Sequence, residues 1–421
     1  MPRTIFALSS GPPPSGVAVI RLSGPESLNI VRRLTGARLP RPREARLRHL
    51  RRPANGQLLD SALVLTFPGP HSFTGEDSAE LHCHGSPSVV AGVQQALAEL
   101  GALPAEAGEF TRRAFETGRL DLTQAEALSD LIAAETEAQR DQALSGAGGR
   151  LRDRANLWRE QLIALMALTE AELDFADEAD VGEISPAVRA GMTRLADDMA
   201  AALATAPLAE RIRSGLTIAI VGPPNAGKSS LLNALARRDV AIVTPHAGTT
   251  RDILEVHLDL AGRPAVLLDT AGLRETSDPI EAEGIARARA RADSADLVLD
   301  LGEGGNLVNK IDESGQTPGW HDGRLFVSAR TGAGLPELEN WLADWALGQI
   351  PRGEAAVVTT GRQQALIAEA LARVDEAATQ QDPVLAAESL RSAAHALGRL
   401  TGQIDPETIL GAVFSRFCIG K

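Results

Sequence analysis

The sequence predicts a multidomain chain: an N-terminal α+β domain, an all-α helical domain, and an α/β phosphate-loop domain inserted into the helical one. Three observations carry this. Residues 1–117 mix short β-like runs with turns. Residues 118–213, and again 351–421, are rich in Ala, Leu, Glu and Arg at helical spacing. Between them, residues 214–350 alternate strand-like and helix-like segments, as a parallel α/β sheet requires. At 421 residues each part is long enough to bury a core of its own.

In the first domain, residues 17–22 (VAVIRL) and 62–67 (ALVLTF) read as strands bounded by Gly and Pro, and 88–100 as a helix. In His82-Cys83-His84 a strand would point the two histidines one way and the cysteine the other, so three ligands do not converge on one metal. The helical domain contains an acidic stretch, 170–178, which predicts a helix end and a solvated turn. The inserted domain opens on a buried-strand run, 216–221, followed by a glycine loop and a helix from Ser229 to Ala236.

The composition narrows the function. Only three lysines, Lys228, Lys310 and Lys421, stand in a chain whose lysines and arginines total 42. Arginine is a planar fork and lysine a compact point charge, so the lysines mark positions where a fork would not serve. No 18-residue apolar run exists, so no membrane span is expected. Met1-Pro2-Arg3-Thr4 lacks a secretory layout, and two cysteines make no disulfide framework, which fits a reducing cytoplasm. The net charge of −13 argues against broad nucleic-acid binding, so any RNA contact must be local. One local exception is Arg38 to Arg52, with seven arginines and one acid, which reads either as a solvated stretch or as a polyanion-facing patch.

The chemistry lies in four motifs in order. Gly222-Pro223-Pro224-Asn225-Ala226-Gly227-Lys228-Ser229 is a phosphate loop. Its backbone N–H groups cradle phosphates at a helix N-terminus, Lys228 reaches the β- and γ-phosphates, and the Ser229 hydroxyl binds Mg²⁺. Gly248-Thr249-Thr250-Arg251-Asp252 supplies a threonine, Thr250, for Mg²⁺ and the γ-phosphate. Asp269-Thr270-Ala271-Gly272 follows a strand and brings a carboxylate near Mg²⁺ and an N–H near the γ-phosphate. Asn309-Lys310-Ile311-Asp312 reads the base: Asp312 accepts from guanine N1–H and the 2-amino group, neither of which adenine offers. Ser328-Ala329-Arg330 closes the base pocket. Together these predict a GTPase. The glutamine that orients water in many GTPases is replaced by Leu273, so another group must do so, with Asn225 and Glu281 as candidates.

Residues 225–233 (NAGKSSLLN) with 248–252 (GTTRD) resemble the TrmE–Era group of GTPases. Residues 109–115 (EFTRRAF), 118–127 (GRLDLTQAEA) and the terminal Phe417-Cys418-Ile419-Gly420-Lys421 narrow this to a resemblance to the MnmE (TrmE) family of tRNA wobble-uridine modification GTPases, over essentially the whole chain. The resemblance implies an N-terminal folate-binding domain that dimerises the protein, with Arg21, Glu80, Arg119 and Lys421 at the folate. It implies GTP contacts from Asn225 to Ser230, Thr244, Thr249, Thr250, Asp269 to Gly272, Asn309, Lys310, Asp312, Ser328 and Ala329. K⁺ would be held by Asn225, Thr244, His246 and Thr249, and Glu281 would position the attacking water. A flavoprotein partner, MnmG, would bring FAD and NADH. The pair would add an aminomethyl or carboxymethylaminomethyl group at C5 of wobble uridine in tRNA, using 5,10-methylenetetrahydrofolate or 5-formyltetrahydrofolate. Cys418 is the implied functional thiol; its other reading is a small buried hydrophobe.

One departure stands out. Between Gly272 and Asn309 the fold needs a strand, a crossover helix and a second buried strand. Here the strand at 295–300 runs through Leu301-Gly302-Glu303-Gly304-Gly305-Asn306 almost directly into Leu307-Val308-Asn309. The domain is shortened at 300–306, which predicts weaker guanine binding or a less stable G domain. Two other functions share these motifs: a GTP-switched RNA assembly factor of the Era-like group, and a folate-dependent one-carbon transferase regulated by GTP.

Overall fold

The short β-like runs that predict strands near the N-terminus fall in a six-stranded sheet. The structure, a computed structural model, describes residues 3–175, 184–238, 240–242, 255–269, 294–351, 353, 356–404, 414, 417 and 420. The chain divides into two units, Met1–Ser129 with His395–Lys421, and Asp130–Ala394.

In the first unit the strands are β1 (Ile5–Leu8), β2 (Ser15–Ser23), β3 (Arg46–Arg51), β4 (Leu58–Phe67), β5 (Ser78–Gly85) and β6 (Leu103–Pro104), in the order β3-β4-β5-β2-β1-β6. Helices α1 (Ser27–Thr35) and α2 (Pro87–Glu99) cover one face. Ile20, Leu22, Val64 and Leu81 meet Ile30, Leu34, Val93 and Leu97 there, all fully buried or nearly so. The period-2 alternation turns Arg21, Glu80, His82 and His84 to the opposite face. Cys83, on the helix side, is buried, and burial pushes its thiol up to about 12, which favours the protonated thiol at neutral pH. Helices α3 (Glu109–Glu116) and α4 (Leu122–Ala133) follow.

The second unit begins with helices α5 (Glu137–Ala147), α6 (Arg150–Phe175), α7 (Pro186–Leu203) and α8 (Ala206–Ser214). Thr136 and Gln139 form a capping box that fixes the start of α5. The acidic stretch from 176 onward lies outside the described residues. Strands β7 (Leu216–Val221), β8 (Glu255–Leu260), β9 (Arg263–Asp269) and β10 (Leu297–Asp300) form a sheet in the order β10-β7-β9-β8, parallel except for β8. Helix α9 (Lys228–Ala236) follows β7. Strands β11 (Leu307–Val308), β12 (Gly319–His321) and β13 (Arg324–Phe326) form a second sheet in the order β11-β13-β12, with a helical turn, α10 (Ile311–Ser314), after β11. Helix α11 (Leu335–Gln349) packs into the same core, in which Ile218, Ile220 and Leu299 of the first sheet meet Leu307, Leu325 and Val327 beside the second. Helices α12 (Gly361–Thr379) and α13 (Pro383–Thr401) complete the described elements.

The short interval has a structural consequence. No helix lies between β10 and β11, β11 has two residues, and the strands that one sheet would hold are split into two sheets. The free edge of β10 is met by one side chain. Asn306 Oδ1 accepts from Asp300 N at 2.9 Å, and Asn306 Nδ2 donates to the Val298 carbonyl at 2.8 Å. The carboxamide thus satisfies the edge as a neighbouring backbone would. Gly305 lies against the Asp300 backbone so closely that a Cβ there would collide with it. Asn306→Ala is expected to lower stability by about 1–2 kcal/mol, because both edge groups lose their partner. Thermal denaturation of the full chain checks this; an unchanged transition would show that the edge needs no cap.

Candidate functional site

Strand β7 delivers the phosphate loop. Asn225 has φ 66°, and Gly227 at φ 92° caps the N-terminus of α9. A Cβ on Gly227 would run into the Asn309 carboxamide, so glycine is required by close approach as well as by conformation. Lys228 is buried, and its Nζ donates to the carbonyls of Gly222 (2.8 Å) and Pro223 (3.0 Å). The ammonium is therefore held inside the loop that a phosphate would fill. Ser229 Oγ donates to Asp269 Oδ2 at 2.5 Å. A hydroxyl and a carboxylate side by side are the oxygen donors that Mg²⁺ takes. Ser230 is exposed on the first turn of α9.

The residues expected to read the base come to the same loop from beside the second sheet. Asn309 Nδ2 donates to the carbonyls of Ala226 (3.2 Å) and Gly227 (3.4 Å), while its Oδ1 accepts from Ala329 N at 3.0 Å. One side chain therefore joins the phosphate loop, the Asn309–Asp312 segment and the Ser328–Arg330 segment. Lys310 has φ 65°, and its stem approaches Gly227. Ser328 Oγ donates to Asp312 Oδ1 at 2.5 Å, and Arg330 forms an ion pair with Asp312. The Ser328 hydroxyl first, then Arg330, hold the Asp312 carboxyl below the usual carboxylate range, so it is an anionic acceptor at neutral pH. Thr244, His246, Thr249, Thr250, Thr270, Ala271, Gly272 and Glu281 lie outside the described residues.

The first unit contains a separate cavity of about 170 Å³ on the open face of its sheet, lined by Arg21, Glu80, Arg43, Phe67, Phe73 and the hydroxyl side chains at 72, 74 and 78. Arg21 pairs with Glu80 at 2.9 Å and lies against the rings of Phe73 and Phe110. Burial pushes the Glu80 carboxyl up, but His82, with Nε2 at 3.1 Å, and the Arg21 guanidinium outweigh it and leave the group below the usual range. Arg119 approaches from the side: its stem and Thr117 lie where a Cβ on Gly75 would point, and Thr117 Oγ1 donates to the Thr74 carbonyl at 2.8 Å. The end of the chain comes to the β1–β2 connection, where Ser9 Oγ donates to the Gly420 carbonyl at 2.9 Å. Phe414 and Phe417 pack with Ala125. Cys418 and Lys421 lie outside the described residues.

Sequence reasoning missed what holds this cavity's wall. Ser23 Oγ lies 2.6 Å from Thr74 Oγ1 and donates to Glu76 Oε2 at 2.7 Å. Arg113 bridges Glu76 (2.9 Å) and Glu109 (2.8 Å), and is itself buried. The spacing of Glu109 and Arg113, four apart on one helix, was the only signal available. Arg43, Phe67 and Phe73 had no motif to mark them.

A phosphate loop pinned to the Asn309–Asp312 segment fits the class of P-loop GTP-binding proteins. The sequence model of the GTP-binding protein TrmE N-terminus matches residues 4–119, and that of the MnmE helical domain matches residues 122–418. A tRNA modification GTPase MnmE from Rhodopseudomonas palustris (strain BisB5) is 49% identical over 457 aligned positions, spanning 100% of this chain and 99% of its own. That of Azorhizobium caulinodans is 50% identical over 433 positions, spanning 99% of each. The chain belongs to the MnmE (TrmE) family. Both alignments are longer than the 421-residue chain, so it carries gaps against these relatives. The cytosolic domain of the T. maritima FeoB iron transporter in a GDP form is 18% identical over 44% of this chain and 98% of its own, with a TM-score of 0.22. Among the described residues no helix is long and apolar enough to cross a membrane.

Asp312→Asn removes the acceptor for both guanine N–H groups and puts a donor in its place. GTP affinity is expected to fall about 100-fold or more, while xanthosine triphosphate, which carries a carbonyl at the 2-position, gains; competition against a fluorescent nucleotide measures both, and unchanged GTP affinity would show that Asp312 does not read the base. Arg113→Met takes the shared cation from the buried Glu109 and the partly buried Glu76 and is expected to cost about 3 kcal/mol. Glu109 titrates below the usual range: burial raises it, and the Glu106 N–H and Arg113 more than offset this. Its contribution is therefore complete at neutral pH and is lost as pH falls through that lowered value. Melting curves of wild type and variant across acidic pH check both statements.

Proposed function

We propose that this chain hydrolyses GTP in the course of a tRNA modification reaction. Together with the flavoprotein MnmG, it adds an aminomethyl or carboxymethylaminomethyl group at C5 of wobble uridine. The observation that supports this most directly is Asn309, which joins a guanine-reading segment to the phosphate loop in a chain that matches tRNA modification GTPases from end to end. In this reading residues 1–117 hold folate and dimerise. Residues 118–213 and 351–421 form one helical domain, and 214–350 is the G domain inserted in it. The protein works in the cytoplasm.

The mechanism follows from what each group can do. Lys228, now on loop carbonyls, exchanges them for β- and γ-phosphate oxygens, at little cost because the ammonium is already desolvated. Asp312 selects guanine. Ser229 and Asp269, with Thr250, would hold Mg²⁺, which when bound neutralises developing phosphate charge. Asn225, Thr244, His246 and Thr249 would hold K⁺, and Glu281 would orient the water that Leu273 cannot. In the other cavity Glu80 is an acceptor for the pterin N–H groups, while Arg21, Arg119 and Lys421 supply cations for the glutamate tail of a tetrahydrofolate. Cys418 follows Phe417, which packs beside Phe414 in the unit that holds this cavity. FAD and NADH stay with the partner.

A strain lacking the chain should lose the modified wobble nucleosides, as measured by mass spectrometry of digested tRNA, and the full chain should restore them. A chain without residues 418–421 is expected to hydrolyse GTP at the normal rate and restore nothing. Restoration by the shortened chain would remove the terminal residues from the chemistry. Wobble nucleosides unaffected by loss of the whole chain would overturn the proposed function itself.

A further inference from the structure

We infer that the arginine-rich edge of the first unit binds the phosphate backbone of RNA, and in the proposed reaction that of the tRNA. The inference rests on that reading for the identity of the polyanion, and on the structure for the site. Strand β3 is the edge strand of its sheet, with β4 as its one neighbour, and α1 packs beside it. The edge gathers Arg46, Arg48 and Arg51 of β3 and Arg38 and Arg41 of the preceding loop. Arg32 and Arg33, in the last turn of α1, are exposed.

What holds these guanidinium groups decides how far their charge is balanced locally. Arg48 donates to the carbonyls of Leu47 (3.0 Å) and Arg38 (3.2 Å), and Arg51 to that of Gly56 (3.1 Å). Carbonyl oxygens orient a guanidinium without neutralising it. Arg48 Nε is buried without a hydrogen-bond partner. Among the described residues few carboxylates pair with this run: Glu44, shared by Arg41 (3.8 Å) and Arg46 (3.2 Å), and Glu99, which takes Arg52 (3.8 Å). The side chains of Arg41 and Arg46 remain 86% and 60% exposed, so Glu44 screens them only in part. A local cluster of positive charge therefore stands on a protein whose net charge is −13. Such a local patch attracts a polyanion while the rest of the surface repels it, which orients the approach. Planar forks suit phosphate oxygens better than point charges do. A strand edge of six residues is about 20 Å long, enough to meet several phosphates.

The test uses the full chain with its flavoprotein partner and an unmodified tRNA transcript, with binding measured across a KCl series and the flavoprotein alone as reference. Substituting R41Q, R46Q and R51Q together is expected to weaken binding about tenfold or more near physiological salt. It should also lower the slope of log K against log salt by about two, at about 0.7–0.9 per phosphate contact. The same three positions changed to lysine should keep the slope, because backbone contact is a matter of charge. GTP hydrolysis and the melting curve, measured on each variant, should match wild type. Equal affinity and slope in the glutamine variant would overturn the inference, as would a wild-type chain that adds nothing to the flavoprotein's own tRNA binding. Wobble nucleosides that persist in a strain lacking the chain would instead remove tRNA as the polyanion.

Discussion

Asn309 is the contact on which the G domain depends. Its carboxamide donates to the Ala226 and Gly227 carbonyls and accepts from Ala329 N. In a single continuous sheet those segments would be kept in register by backbone ladders. Here β11 and β13 belong to a sheet that is not hydrogen-bonded to β10. The shared apolar core holds the two sheets together, but a hydrophobic contact has no direction. Among the described residues two side chains give the link direction: Asn306, whose carboxamide bonds β10 while its backbone carbonyl accepts from Leu325 N, and Asn309, which reaches the phosphate loop itself. Gly227 is its complement, because any side chain there would displace the carboxamide.

The sequence made much of this legible, and the reasons differ by element. The strand, loop and helix around Lys228 were readable because a glycine loop between an apolar strand and a helix has one physical use. The turn of Glu80, His82 and His84 away from Cys83 followed from period 2 alone. The shortened connection was also readable, since two apolar residues before Asn309 do not make a full strand. Its outcome was not: that the sheet would split, and that Asn306 would satisfy the β10 edge, depends on a carboxamide reaching two backbone groups whose positions no local pattern encodes. The Ser23–Thr74–Glu76–Arg113–Glu109 network was hidden for the same reason, as its members come from three separate segments.

The two units place different demands on charge. In the G domain Lys228 rests on the Gly222 and Pro223 carbonyls, and Asp312 on the Ser328 hydroxyl and Arg330. In the first unit Arg21 and Glu80 neutralise each other beside aromatic rings, which leaves a cavity suited to a planar, hydrogen-bonding molecule. The scarcity of lysine fits this division. Arginine serves wherever a fork can be held by carbonyls or carboxylates, whereas Lys228 puts an ammonium into a tight backbone cradle.

The central claim is that the base-reading and phosphate-binding segments form one guanine site despite the short connection between β10 and β11. Titration of the full-length wild-type chain with GDP, IDP and ADP tests it most directly. If the site is assembled, GDP binds tightest. IDP, which lacks the 2-amino group, should bind more weakly, and ADP about 100-fold or more below GDP. If the three diphosphates bind alike, the phosphate loop works without the base segment, and the account given for Asn309 and Asp312 is wrong.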